Sequence, residues 1–166
     1  MSQRMEPASA PRSDSATGAN TESLPLTKTV DNILEAARMI LPGTQTLFGF
    51  QLIVVFNARF HEHLSATEEY IHLGATMLVA LATAMLIAPA AYHRIAEPET
   101  VSRKFVVLAS RLLSVSLVPL ALAICADFYL VASLVSANAT VSLLLAGAVF
   151  VAFAGLWFIL PARAAS

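Results

Sequence analysis

The sequence predicts an all-α integral membrane protein: a four-helix bundle preceded by an amphipathic helix in the membrane interface. Hydrophobic residues make up 57% of the 166 residues and the mean hydropathy is +0.72, which is more apolar than an ordinary soluble domain. Four apolar stretches come close to the ~20 residues that cross a hydrocarbon core. They cover residues 44–60, 70–92, 105–135 and 139–160.

Each stretch is predicted as a helix, because backbone polar groups inside lipid must bond within their own segment. The transmembrane domain then covers residues 42–161. The connection around residues 136–140 is so short that the third and fourth spans must form an antiparallel hairpin. Pro161 is expected to end the fourth span, which leaves residues 162–166 as a C-terminal tail.

Residues 28–41 are predicted to form the amphipathic helix, because their apolar side chains follow helical spacing and their charges lie elsewhere on the circumference. It is expected in the cytoplasmic interface, and Pro42 with Gly43 predicts a kink or break before the first span. One helix continuing into the span is the alternative. Residues 1–27, rich in Ser, Ala, Thr and Pro, are predicted to be a disordered cytoplasmic tail.

The basic residues predict the orientation. Nine of the ten lie on one side of the predicted spans, and only Arg59 lies on the other. The positive-inside rule then places both termini in the cytoplasm of a multi-pass protein of the inner, or plasma, membrane. The lipid bilayer is therefore the first predicted partner, whereas a net charge of −1 indicates no attraction to nucleic acid.

Small residues recur at four-residue spacing on three spans, which lets helices approach closely. This pattern fits packing within the bundle, and it also fits a homo-oligomer formed through the small-residue faces. The residues are Ala80, Ala84 and Ala88, then Ser110 and Ser114, and finally Ala148 and Ala152 beside Gly147 and Gly155.

Two ionisable residues lie within the spans, where charge is costly and often functional. Arg111 and Asp127 are each eight residues from Pro119, the middle of the third span, and therefore about 12 Å from it. Arg111 is expected to reach the interface, and Arg59 is the predicted partner of Asp127 in an ion pair. A second hypothesis makes Asp127 the carboxylate of a small transporter coupled to a cation or proton.

Polar residues in the first span bear on the transport hypothesis. Gln45, Gln51 and Asn57 can bond between helices or line a polar path, and Gln51 is a candidate for either role. Their six-residue steps place them about 120° apart on a helix, so they form no single polar stripe. This spacing argues against a channel.

The loop after the first span predicts a third candidate site. His61, His63, Glu68 and His72 offer imidazole and carboxylate ligands that suit zinc or another transition metal. Glu68 and His72 share a helix face at i, i+4. The spacing matches no standard metal motif, and polar loops commonly hold such residues, so a plain solvated loop is the alternative.

The sequence contains no glycine-rich phosphate loop, no nucleophile elbow and no pair of acids at mid-membrane depth. We therefore predict neither an enzyme nor a cofactor. A structural, accessory or interaction role is favoured over ion-coupled transport, since no carboxylate is predicted at the centre of the membrane.

Two segments resemble a family of small bacterial four-span membrane proteins of unknown function. They are LPGTQTLFGFQL at 41–52 and LIAPAAYHR at 86–94, with Phe56, Arg59-Phe60 and Arg111-Leu112. The resemblance covers about residues 30–160 and implies a four-span fold. Some members are automatically named sodium:proton antiporters, and the family brings no assigned functional residues. The histidines of the loop lie outside the pattern of the family, so a metal site there would be particular to this chain.

Overall fold

The computed structural model describes residues 26–57, 60–96 and 102–164, and every regular element within these ranges is helical. This confirms the all-α prediction for the described residues. The tail predicted over residues 1–27 lies outside them except for Leu26 and Thr27, which begin the first helix. The elements are α1 (Leu26–Val55), α2 (Phe60–His63), α3 (Ala66–Ala96), α4 (Arg103–Ser136), α5 (Ala139–Ala154), a π turn (Gly155–Ile159) and α6 (Leu160–Ala164).

Three helices among the described residues are long and apolar enough to cross a membrane. They are α3, α4 and the continuous helix Ala139–Arg163, which match three of the four predicted spans. The remaining span, predicted over 44–60, falls in the second half of α1. This helix is not apolar over a sufficient length, because Gln45 and Gln51 interrupt its second half and charged residues occupy its first half.

The sequence predicted a kink or a break at Pro42 and Gly43. α1 runs unbroken for 30 residues through Pro42, which contradicts a break and agrees with the alternative of one continuous helix, whereas a kink stays a prediction. Residues 28–41 and the start of the predicted span form one helix of about 45 Å, which ends at Val55 rather than Phe60. Two hydroxyls in this region bond to carbonyls one turn back, Thr44 Oγ1 to Ile40 O and Thr46 Oγ1 to Pro42 O, each at 2.8 Å. Neither carbonyl is the one that Pro42 deprives of its helical donor, which is Arg38 O, four residues earlier.

The apolar side of the first half of α1 packs on the start of α4. Val30 forms a buried cluster with Phe105, Val106 and Ala109, against which Ile33 and Leu34 also lie. Tyr92 and His93 at the end of α3 stack on Phe105, with ring centroids 5.8 and 5.3 Å away. The segment predicted to lie in the interface therefore contributes to the bundle. We call this end of the bundle, which carries Lys28, Arg94, Arg103 and Lys104, the basic end.

α3 and α4 form the most extensive helix pair of the bundle. The seam on α3 consists of Ala75, Val79, Ala82 and Leu86, each at most 2% exposed, with alternating steps of four and three residues. This is the spacing of a helix face that packs along a neighbouring helix. The predicted stripe of Ala80, Ala84 and Ala88 lies beside the seam, and Ala84 is exposed.

The predicted hairpin is present between α4 and α5. Ala137 ends α4 in the left-handed conformation at φ 47°, and its N–H donates to Ser133 O. Asn138 caps α5, because its side-chain oxygen accepts hydrogen bonds from Thr140 N and Val141 N. Two residues thus suffice to reverse the chain.

The last helix continues beyond Pro161 to Ala164. The prediction that Pro161 ends this helix was therefore wrong. The π turn lies directly before Pro161. A proline ring normally clashes with the carbonyl four residues earlier, and the wider π turn relieves that contact. Residues 162–164 are consequently helical, and the rest of the predicted C-terminal tail lies outside the described residues.

We expect Val30→Asp to loosen the first half of α1 without unfolding α3 and α4. The introduced carboxylate would lie in the cluster with Phe105, whose members are all apolar and cannot hydrogen-bond to it. Hydrogen exchange in nanodiscs should accelerate at least about tenfold over residues 29–41, equivalent to about 1.4 kcal/mol. Asn32→Asp, which adds the same charge at an exposed position, is the matched control and should leave exchange unchanged. Equal acceleration in both variants would contradict this packing.

Candidate functional site

A polar cluster joins three helices near the end of the bundle opposite the basic end. Gln51 on α1 donates from Nε2 to Asp127 Oδ2 on α4, at 2.7 Å. Gln51 is only 3% exposed, and the Asp127 side chain is 22% exposed. Short hydrogen bonds to a carboxylate are the stronger kind, so this contact holds α1 against α4 within otherwise apolar surroundings.

His72 on α3 completes the cluster. Its Nε2 lies 2.9 Å from the Gln51 main-chain oxygen, and its Nδ1 lies 3.9 Å from Asp127 Oδ1. A carbonyl oxygen can only accept, so Nε2 carries the hydrogen and donates it. The other ring nitrogen therefore faces the carboxylate. Phe60 covers the ring edge-on, with centroids 5.3 Å apart.

The cluster borders a cavity of about 200 Å³ between α1, α4 and the start of α3. Among the described residues that line it, Gln51, His72 and Asp127 are the polar ones. The Gln51 Oε1 atom is buried and has no hydrogen-bond partner among the described residues. Such an atom costs about 1–3 kcal/mol when it is left unpaired, so the site retains unused capacity to accept a hydrogen bond.

The facing side chains of His72 and Asp127 would form an ion pair only with a proton on both ring nitrogens. The separation of 3.9 Å is within reach of an ion pair but too long for a direct hydrogen bond.

The predicted candidates for an ion pair or for transport lie at different places. Arg59, the predicted partner of Asp127, lies outside the described residues, so an ion pair between them stays a prediction. Gln51, by contrast, contacts Asp127 directly. Arg111 is exposed on α4, towards the basic end. Among the three amide side chains of the predicted first span, Gln51 is buried, whereas Gln45 and Asn57 are exposed.

The described side chains of the predicted metal ligands contact different partners and do not come together. His72 faces Gln51 and Asp127, whereas Glu68 accepts from Ser133 Oγ, Ser65 Oγ and Ser65 N. His63 is exposed, and the side chain of His61 lies outside the described residues. Within the described part of the chain, no three His, Cys, Asp or Glu side chains are grouped to hold a metal ion.

Sequence analysis missed two features of this end of the bundle. It assigned His72 to the metal set and did not connect it with Asp127, which is 55 positions away in the chain. It also overlooked Ser133, whose hydroxyl joins the end of α4 to Glu68 near the start of α3. The only sequence signal for either was the occurrence of a polar side chain in an apolar stretch.

The described residues thus form an all-helical fold with a polar cluster and three helices that are long and apolar enough to cross a membrane. The chain belongs to DUF6328, a family of unknown function, whose model matches residues 19–161. This agrees with the resemblance to an uncharacterised family. No curated protein and no solved structure matches the chain.

A double-mutant cycle should measure the bond between α1 and α4. We expect Gln51→Ala and Asp127→Ala to be coupled by about 0.5–2 kcal/mol, the range for hydrogen bonds between membrane helices. The free energy of unfolding in bicelles is the measurement. Gln51→Ala combined with Ser133→Ala is the control, and should be additive because Ser133 bonds Glu68 instead. Additivity in both cycles would show that the Gln51–Asp127 contact contributes nothing.

Proposed function

We propose that this protein is a multi-span membrane protein with a structural, accessory or interaction role, and that it acts through helix contacts within the bilayer. The proposal includes α1 as a fourth membrane helix and the orientation with both termini in the cytoplasm. The basic end, with Arg94, Arg103 and Lys104, would then face the cytoplasm.

The observation that carries this proposal is the exposure of α5. It is apolar on all sides and packs chiefly on α4, yet only Ser142 and Ala146 are buried. A helix that is hydrophobic all round belongs in lipid or in a larger assembly. Large side chains such as Leu143, Leu144 and Val151 lie on its outer surface, between 67 and 70% exposed.

The outer surface of α5 also supports self-association. Ala148 and Ala152 are exposed, next to the exposed Gly147, and lie away from the side that buries Ala146 against α4. A Cβ atom built on Gly147 would meet no neighbouring atom within 4 Å. Small residues at this spacing let a helix of a second copy approach closely, which is the main source of attraction between helices in lipid.

We expect Ala148→Leu to weaken self-association about tenfold, because the larger side chain separates the helix backbones. Energy transfer between labelled copies diluted in liposomes would measure the association. Ala139→Leu is the matched control, since this exposed alanine lies about 180° around α5 from Ala148. Loss of association in both variants, or in neither, would exclude the small-residue face as the contact.

The polar cluster supports a second candidate, proton-coupled cation transport. Asp127 and His72 are two ionisable groups that face each other beside a cavity of about 200 Å³, and the Gln51 Oε1 atom, which has no partner among the described residues, offers an acceptor for a cation or water. The position of Asp127 away from the middle of its helix argues instead for a structural role. The Gln51–Asp127 hydrogen bond also supports a structural role, because it links α1 to α4.

Reconstituted liposomes with imposed sodium and proton gradients distinguish the two functions. We expect no flux above that of protein-free liposomes, in agreement with a structural role. Flux that is lost in Asp127→Asn and retained in Glu68→Gln would instead establish transport at the polar cluster. Glu68 is the matched control because its carboxylate lies near the same end but bonds Ser133 and Ser65.

A further inference from the structure

The basic end contains a groove between α1 and α3 that no predicted function uses. It encloses about 330 Å³, and its floor is formed by apolar side chains of both helices. Three nitrogen-bearing side chains, Arg38, His93 and Arg94, also line it. The groove is therefore apolar along its length and positively charged at its rim. The apolar lining residues are Leu34, Ala37, Leu41, Leu86, Ile87 and Ala90.

The two arginines of this groove are available to an anion. Both are exposed, and neither forms an ion pair with a carboxylate of the described residues. Asp31 and Glu35, both exposed, line a neighbouring groove together with Arg38. Glu97, three residues after Arg94, lies outside the described residues. The arginines come from different helices, so a single anion between them would be recognised by two guanidinium groups.

His93 adds a third group with unused bonding capacity. Its Nδ1 is buried without a hydrogen-bond partner in the described part of the chain, while its ring stacks on Phe105. An oxygen of a bound headgroup that reached this nitrogen would accept a hydrogen bond from it. The pairing would offset the cost of leaving a buried polar atom unbonded.

The position of the groove along α3 matches the level of lipid headgroups. Arg94 is 13 residues beyond Leu81, the midpoint of α3, which corresponds to about 20 Å of helix. Half of a hydrocarbon core is about 15 Å, so the guanidinium would lie among headgroups. Leu86, five residues from the midpoint, would lie at acyl-chain depth, about 8 Å from it.

We infer that the groove between α1 and α3 binds one acidic phospholipid, with its phosphate between Arg38 and Arg94 and an acyl chain along the apolar floor. The positive rim selects the negative headgroup, and the apolar floor selects a lipid over a free anion. A zwitterionic lipid would keep the acyl contacts but would bring its own cation close to the arginines.

Native mass spectrometry of the full chain in detergent, with phosphatidylglycerol added at defined ratios, tests this inference. We expect one tightly bound phosphatidylglycerol and at least fivefold weaker binding of phosphatidylcholine of the same chain length. The double variant Arg38→Gln/Arg94→Gln should lose this preference. Inorganic phosphate should not compete at millimolar concentration; effective competition would overturn the lipid assignment in favour of a free anion site.

The control variant is Arg103→Gln/Lys104→Gln, which removes two exposed basic residues from the same end. These residues belong to a groove formed by α4 alone, with Val107, Leu108 and Arg111. We expect this variant to keep the preference for phosphatidylglycerol. Equal loss in both double variants would mean general attraction to a basic surface and would refute a site between α1 and α3.

A second variant tests the acyl chain separately from the charge. Ala90→Trp should fill the groove and weaken phosphatidylglycerol binding at least fivefold, since Ala90 lines it and is exposed. Ala84→Trp adds the same bulk at an exposed position of α3 outside the groove, and should have no effect. Unchanged binding in Ala90→Trp would refute occupancy of the groove by an acyl chain.

Discussion

The bundle depends on the requirement that polar groups within apolar helices find partners in the protein. The amide nitrogen of Gln51 and the carboxylate of Asp127 meet this requirement together, through a 2.7 Å bond that joins α1 to α4. His72 then contributes from α3, with one ring nitrogen on the Gln51 carbonyl and the other towards Asp127. Without these partners, α1 would carry an amide into surroundings that cannot hydrate it. α1, the least apolar of the four long helices, is thus joined to α4 by a hydrogen bond between polar side chains.

The two ends of the bundle are stabilised by different kinds of interaction. Near Asp127 and Ser133, hydrogen bonds between side chains connect the helices. At the basic end, aromatic stacking and apolar burial around Phe105 perform that role. The exposed Arg38 and Arg94 form no ion pair with a described carboxylate, so they do not hold the helices together.

α5 differs from the other long helices because it contributes little to the interior. Its short connection to α4 fixes it as the second arm of a hairpin, while most of its apolar surface faces outward. For a protein with apolar helices, such a surface is not a defect, since lipid or another helix can cover it. The distribution of burial therefore assigns stability chiefly to α3 and α4, and outward contacts to α5.

The sequence by itself determined the helical fold, the bounds of α3 and α4 to within four residues, the hairpin at Ala137, and the concentration of basic residues at one end. These features follow from the composition and residue spacing of single segments, so they can be predicted without knowing how the segments pack together. Only the tertiary structure decided that α1 continues as one helix through Pro42 and that Asp127 contacts Gln51 and His72. It also decided that Glu68 accepts a hydrogen bond from Ser133. Hydrophobic periodicity shows that a residue lies in a helix, but partners separated by 55 or 76 positions depend on how the helices are rotated and paired. That rotation is set by packing along the whole length of each helix, which no single segment encodes.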